Sequence, residues 1–194
     1  MRNLLIAGAA IAALAFGGSA QAAVYIATLN GANQNPVNAS PATGIATFTF
    51  DPVTNMMEVQ VTFSGLTSPA TAAHIHCCIA PPGNTGVAST TPTYPGFPAA
   101  TSGTYDQTFN MLSLTSYNSA FVTANGGTAA SAEAALLAGI AAGNAYFNIH
   151  DVNNPGGEIR GFLIPVPEPG TWALMITGFG LLGATLRRGR LALA

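Results

Sequence analysis

Three histidines carry most of the chemistry this sequence can offer. His74 and His76 stand at i and i+2 in Ala73-His74-Ile75-His76-Cys77-Cys78, and His150 closes Tyr146-Phe147-Asn148-Ile149-His150. In an extended chain alternate side chains share a face, so His74 and His76 point one way, and Tyr146, Asn148 and His150 share theirs. Two imidazoles from one strand and a third from a neighbour make a ligand set suited to copper or zinc. The same H-x-H spacing also arises where strand histidines simply bond to backbone or carboxylates. No fourth ligand and no group to orient the imidazoles is evident from spacing. Both readings stay open on the residues alone.

Cys77 and Cys78 are the two cysteines of the chain, so no long-range bridge within the chain can staple the fold. Adjacent Cα atoms lie ~3.8 Å apart, short of the ~4.4–6.8 Å that disulfides usually span. A strained vicinal bridge, buried thiols, metal ligation by Cys78 and a bond to another chain are the alternatives. If the strand continued regularly, Cys78 would join the histidine face and Cys77 would not.

The segment His150-Asp151-Val152-Asn153-Asn154-Pro155-Gly156-Gly157-Glu158-Ile159-Arg160 holds the remaining candidates. Pro155-Gly156-Gly157 makes a tight turn, which brings Glu158 near His150 or Asp151 across a hairpin. Arg160 is either a fork of donors holding carboxylates or carbonyls, or part of a supporting layer in which Glu158 orients His150. His150 and Asp151 are sequence neighbours and face opposite ways, so they do not form a triad pair. There is no G-x-S-x-G turn and no glycine-rich nucleotide loop, so no catalytic residue is assigned.

The elements that would position these residues alternate with period two. Ala46, Phe48 and Phe50 oppose Thr47 and Thr49, and Met57, Val59, Val61 and Phe63 oppose Glu58, Gln60 and Thr62. This is the pattern of antiparallel strands with one wet face. Strands are expected over 24–30, 44–51, 57–63, 72–78, 104–111, 145–152 and 158–164. One alanine-rich helix is expected over Ser131–Ala142, capped by Thr128 or Ser131, with Glu133 in its first turn and Gly143 at its end. A weaker helical turn falls near 117–124. Pro81–Gly103 consists mostly of Pro, Gly, Ser and Thr, a loop long enough to be a functional covering. The fold expected is all-β, a mainly antiparallel sandwich or barrel of about seven strands with one short helix.

Only 6% of the 194 residues are charged, against about a quarter in ordinary soluble domains, while 49% are hydrophobic. Between residues 23 and 165 Arg160 is the single cation among Asp51, Glu58, Asp106, Glu133, Asp151 and Glu158. That balance excludes a phosphate-binding face and hence nucleic acid as a partner. Arg2 precedes an apolar stretch from Leu4 to Phe16, and Ala20-Gln21-Ala22 follows as a small-x-small site. These features read as a signal peptide over 1–22, cleaved by signal peptidase.

The other end carries Val166-Pro167-Glu168-Pro169, an apolar run from Thr171 to Leu186, and Arg187, Arg188 and Arg190. As a helix the run is about 24 Å long, enough to serve as a transmembrane helix if flanking arginines snorkel. The prolines keep the preceding segment extended and open to a processing enzyme. The three parts in this order, over 166–190, resemble the PEP-CTERM sorting signal of Gram-negative bacteria. That resemblance implies an inner-membrane intermediate, processing by an exosortase, and delivery to the cell surface or an exopolysaccharide matrix such as that of a biofilm.

Residues 23–165 resemble the CHRD domain, first described in chordin. The resemblance rests on His74-Ile75-His76, on Asn148-Ile149-His150 with Asn154-Pro155-Gly156-Gly157-Glu158-Ile159-Arg160-Gly161, and on the opening Ala27-Thr28-Leu29-Asn30-Gly31 with Ala42-Thr43-Gly44-Ile45-Ala46. It implies a β-rich extracellular module with no established catalytic activity. The leading expectation is therefore a non-enzymatic, exported surface or matrix module. The alternative is a copper or zinc protein built on His74, His76 and His150.

Overall fold

A computed structural model describes residues 21–167, 170 and 176–180. The expected signal helix with Ala20, and Glu168, Pro169, Arg187, Arg188 and Arg190 of the sorting segment, lie outside the described residues; Ala22 and Pro167 lie within them. Among the described residues no helix is long and apolar enough to cross a membrane.

Eight strands form one antiparallel sheet. They are β1 (Ala23–Asn30), β2 (Thr43–Asp51), β3 (Met56–Ser64), β4 (Ala70–Cys77), β5 (Gly103–Asn110), β6 (Ala145–Asp151), β7 (Ile159–Phe162) and the two-residue β8 (Ile164–Pro165). The spatial order is β4-β6-β7-β1-β2-β3-β5, with β8 also pairing with β1. The sheet curls into a half-barrel, the barrel-like form of the all-β fold expected from the alternation. What makes it one sheet is β1. It pairs along its length with β2 and, at Asn30↔Arg160, with β7, joining what would otherwise be two layers.

The alternation works as expected. Phe48, Val59, Val61, Phe63, Ile75, Phe147 and Ile149 point to one interior and are buried, while Glu58, Gln60 and Thr62 look outward. The β2–β3 turn is closed by Asp51, whose carboxylate accepts from the Val53 N–H at 2.8 Å and the Thr54 hydroxyl at 2.8 Å.

Between β5 and β6 lie two α-helices, one more than expected for this part of the chain. The weak turn near 117–124 forms as α1 (Ser119–Ala124), and the alanine-rich segment forms α2 (Ala129–Ala141). Thr128 caps α2 and exchanges hydrogen bonds with Ser131 in a reciprocal box, so both candidate caps are used and the helix starts two residues early. Glu133 consequently falls beyond the first turn, where its charge gains little from the helix dipole, and it is buried. Leu136 and Ile140 of α2 are fully buried in the core.

The long Pro81–Gly103 segment is a covering. β4 stands at the edge of the sheet, and the loop returns along it. The Ala88 N–H donates to the Ile75 carbonyl at 2.8 Å and the Ile75 N–H to Ser89 Oγ at 2.9 Å. The edge groups of β4 are thus satisfied without another strand, and Tyr94 from the loop enters the core.

Candidate metal centre

The β4–β6 register sets Ala72 opposite His150, His74 opposite Asn148 and His76 opposite Tyr146. Ala73 and Ile75 face the core, so His74 and His76 lie on the other face, under the covering loop. All three histidines come together there. Their ring centroids are 5.9, 5.4 and 5.7 Å apart for the pairs 74–76, 74–150 and 76–150.

Each ring is fixed by one backbone carbonyl. His74 Nε2 bonds the Pro92 oxygen at 2.6 Å, His76 Nδ1 the Thr85 oxygen at 2.9 Å, and His150 Nδ1 the Pro155 oxygen at 3.0 Å. A carbonyl only accepts, so in each neutral ring this nitrogen carries the hydrogen and the other holds a lone pair. Those other nitrogens are His74 Nδ1, His76 Nε2 and His150 Nε2. All three are sealed from solvent and none has a hydrogen-bond partner.

One ligand nitrogen from each ring lies within 4.8 Å of the others. Some point lies within about 2.8 Å of all three atoms so spaced, and small ring movements would reach the ~2.0–2.1 Å of a zinc–imidazole bond.

Electrostatics keeps the rings in the ligand form. Burial lowers the pKa of all three, and for His76 burial, with the neighbouring imidazoles and Arg160, brings it to about 4. Tyr146 stacks flat on His76 with centroids 4.8 Å apart. The Arg160 guanidinium lies over the far side of the stack, 4.6 Å from the Tyr146 centroid. Arg160 is 1% exposed. It donates to the carbonyls of Asn33, Pro82 and Gly83 and to Asn84 Oδ1, so its partners are all carbonyl or amide oxygens. By holding residues 82–84 it also anchors the neighbouring Thr85 carbonyl that orients His76.

The other candidates lie elsewhere. Glu158 does not orient His150, whose Nδ1 is held by Pro155. β6–β7 pairing stops at Ile149↔Ile159. Beyond it the Glu158 carboxylate accepts from Ser40 Oγ at 2.5 Å and the Thr67 N–H at 3.0 Å, and pairs with Asp151. Asp151 accepts from Thr67 Oγ1, Ser68 N, Ser68 Oγ and Asn154 N. Burial pushes the Asp151 carboxyl up, but hydrogen bonds from Glu158, Ser68 and Asn154 outweigh it and hold the pKa at about 2. Burial and the bond to Asp151 raise Glu158 instead.

Cys78 is not in the ligand set either. β4 ends at Cys77, and the two cysteines form a disulfide whose sulfurs lie against the Cα of Gly139 in α2, where any side chain would collide. The regular continuation that would have put Cys78 on the histidine face does not occur.

Sequence reasoning named the three histidines but not what holds them. The Pro92, Thr85 and Pro155 carbonyls come from loops, and every residue has a carbonyl, so no residue type signals them. The Arg160–Tyr146–His76 stack was within reach only as a shared face for Tyr146.

The fold and site define a β half-barrel with a buried three-histidine cluster on one face. The model of the CHRD domain matches residues 25–163, and the chain belongs to that family. The PEP-CTERM protein-sorting motif matches residues 165–190. The motif marks the chain for export, processing by an exosortase in the membrane and sorting to the bacterial cell surface. Neither a curated protein nor a solved structure matches the chain.

Proposed function

We propose that this CHRD module is a non-enzymatic metal-binding domain displayed outside a Gram-negative cell, with His74, His76 and His150 holding copper or zinc. One observation carries the reading: each of the three rings has a buried nitrogen without a partner, and one nitrogen from each ring lies within 4.8 Å of the others. Leaving a buried acceptor unsatisfied costs about 1–3 kcal/mol, so three in one place are a standing penalty that a shared cation would relieve. The carbonyl on the opposite nitrogen of each ring is the partner that metal-ligating imidazoles usually have. The donor set is nitrogen, borderline-soft and neutral, which suits these two metals. Binding rather than turnover is favoured because the sulfurs, the one strong nucleophile pair, are tied to each other.

In this reading signal peptidase cuts after Ala22. The apolar tail then holds the chain in the inner membrane until an exosortase acts at Pro167-Glu168-Pro169, and the released domain joins the surface or exopolysaccharide. Elemental analysis of the exported chain, recovered from its host, tests the metal. Copper or zinc near one equivalent, lost on His150→Ala, is expected. A folded, metal-free chain that takes up neither ion would overturn the reading.

A further inference from the structure

The three-histidine pocket has a coordination number and a charge as well as a ligand type. Among the described residues no fourth His, Cys, Asp or Glu atom joins the three nitrogens. The near candidates are committed: the sulfurs to one another, and Asp151 and Glu158 to Ser40, Thr67, Ser68, Asn154 and each other. The free nitrogens are closed to solvent, so water does not stand ready as a fourth ligand.

The pocket is positive on its His76 side, while on the His150 side the charge of Asp151, the next residue in β6, favours a cation. The buried Arg160 guanidinium, with only carbonyl and amide oxygens as partners, sits over the ring that stacks on His76. A divalent ion here would find no carboxylate among its ligands, since the Asp151 oxygens are taken up by Thr67, Ser68 and Asn154. Desolvating an ion costs more as its charge grows, and buried charge without compensation is strongly disfavoured. Zinc also takes four ligands in almost all structural sites. A monovalent d10 ion brings half the charge and is satisfied by three nitrogen donors.

We infer that the pocket is selective for Cu(I) over both Zn(II) and Cu(II), and that Arg160, acting through the Tyr146 ring, disfavours the divalent ions. The inference rests on the metal-binding reading above and narrows it to one ion.

Anaerobic titration of the full exported chain tests it, with Cu(I) competed against bicinchoninate, Zn(II) against a zinc-binding dye and Cu(II) against glycine. One equivalent of Cu(I) is expected, with a Kd at least about a thousandfold below that for Zn(II). In Arg160→Met, checked for folding by circular dichroism, the gap is expected to narrow at least about tenfold, through tighter Zn(II) binding. Zn(II) or Cu(II) binding as tightly as Cu(I) would overturn the selectivity while metal binding stands. An unchanged gap in a folded Arg160→Met would remove Arg160's part. Failure of all three ions to bind would overturn this inference together with the reading beneath it. Should Arg160→Met not fold, the wild-type comparison decides the selectivity alone.

Discussion

His150 and Asp151 are consecutive in β6 and open onto two buried polar clusters of opposite character. On the Asp151 side the carboxylates of Asp151 and Glu158 meet donors from Ser40, Thr67, Ser68 and Asn154. On the His150 side each imidazole is anchored at one nitrogen and left without a partner at the other. A satisfied cluster joins the 38–42 and 65–68 segments to the β6–β7 turn and is complete as it stands. The cluster with converging lone pairs is incomplete. One strand thus separates a polar group whose partners are in place from one whose acceptor nitrogens lack them, and alternation of side chains is what keeps them apart.

If this contrast is right, the two sides respond differently to truncation. Asp151→Ala takes the acceptor from the half-buried Ser68 and Asn154 and the more exposed Thr67, and should cost about 1–3 kcal/mol in urea unfolding. A loss below 1 kcal/mol would mean that water replaces the carboxylate and that the cluster does not hold the turn. Metal acts next. At a free concentration one hundred times Kd, the bound ion should raise wild-type stability by about 2.7 kcal/mol and leave His150→Ala unmoved. Without metal, His150→Ala removes one hydrogen bond and one orphaned acceptor, so the net change should stay within about 1 kcal/mol. A metal-free cost as large as that of Asp151→Ala would make the histidines structural and erase the distinction.

Much of this was written locally. Strict alternation in 57–63 and 72–77 gave the strands, and H-x-H with Asn148-Ile149-His150 gave a shared histidine face, because side-chain direction in a strand depends only on parity. Where the reading failed, a long-range or backbone event intervened. The curl into one sheet depends on Asn30 meeting Arg160, a contact 130 positions apart. Cys78 left the histidine face because β4 ended one residue earlier, where the disulfide meets Gly139. Of the two neighbours expected for Glu158 across the hairpin, His150 and Asp151, the carboxylate takes Asp151, because the β6–β7 register does not extend to His150. Pairing stops at Ile159, and the carboxylate turns to Asp151 and the 38–42 and 65–68 segments.

Glu133 offers a control for the value of convergence. Its Oε1 in α2 is buried without a partner, as the three histidine nitrogens are, but it stands alone. Burial raises its pKa above the ordinary 4.5. A carboxyl with a raised folded pKa binds its proton more tightly in the folded chain. Its ionisation therefore costs stability as the pH climbs from the ordinary value through the raised one. Glu133→Gln keeps the shape and removes the charge. It should stabilise the protein by about 1 kcal/mol or less at pH 7 and by nothing at pH 3, where the wild-type carboxyl is already neutral. Equal gains at both pH values would mean that packing, and not the buried charge, set the penalty. A gain confined to high pH, beside a histidine cluster stabilised only by metal, would separate an isolated buried orphan from a group of orphans arranged to be filled.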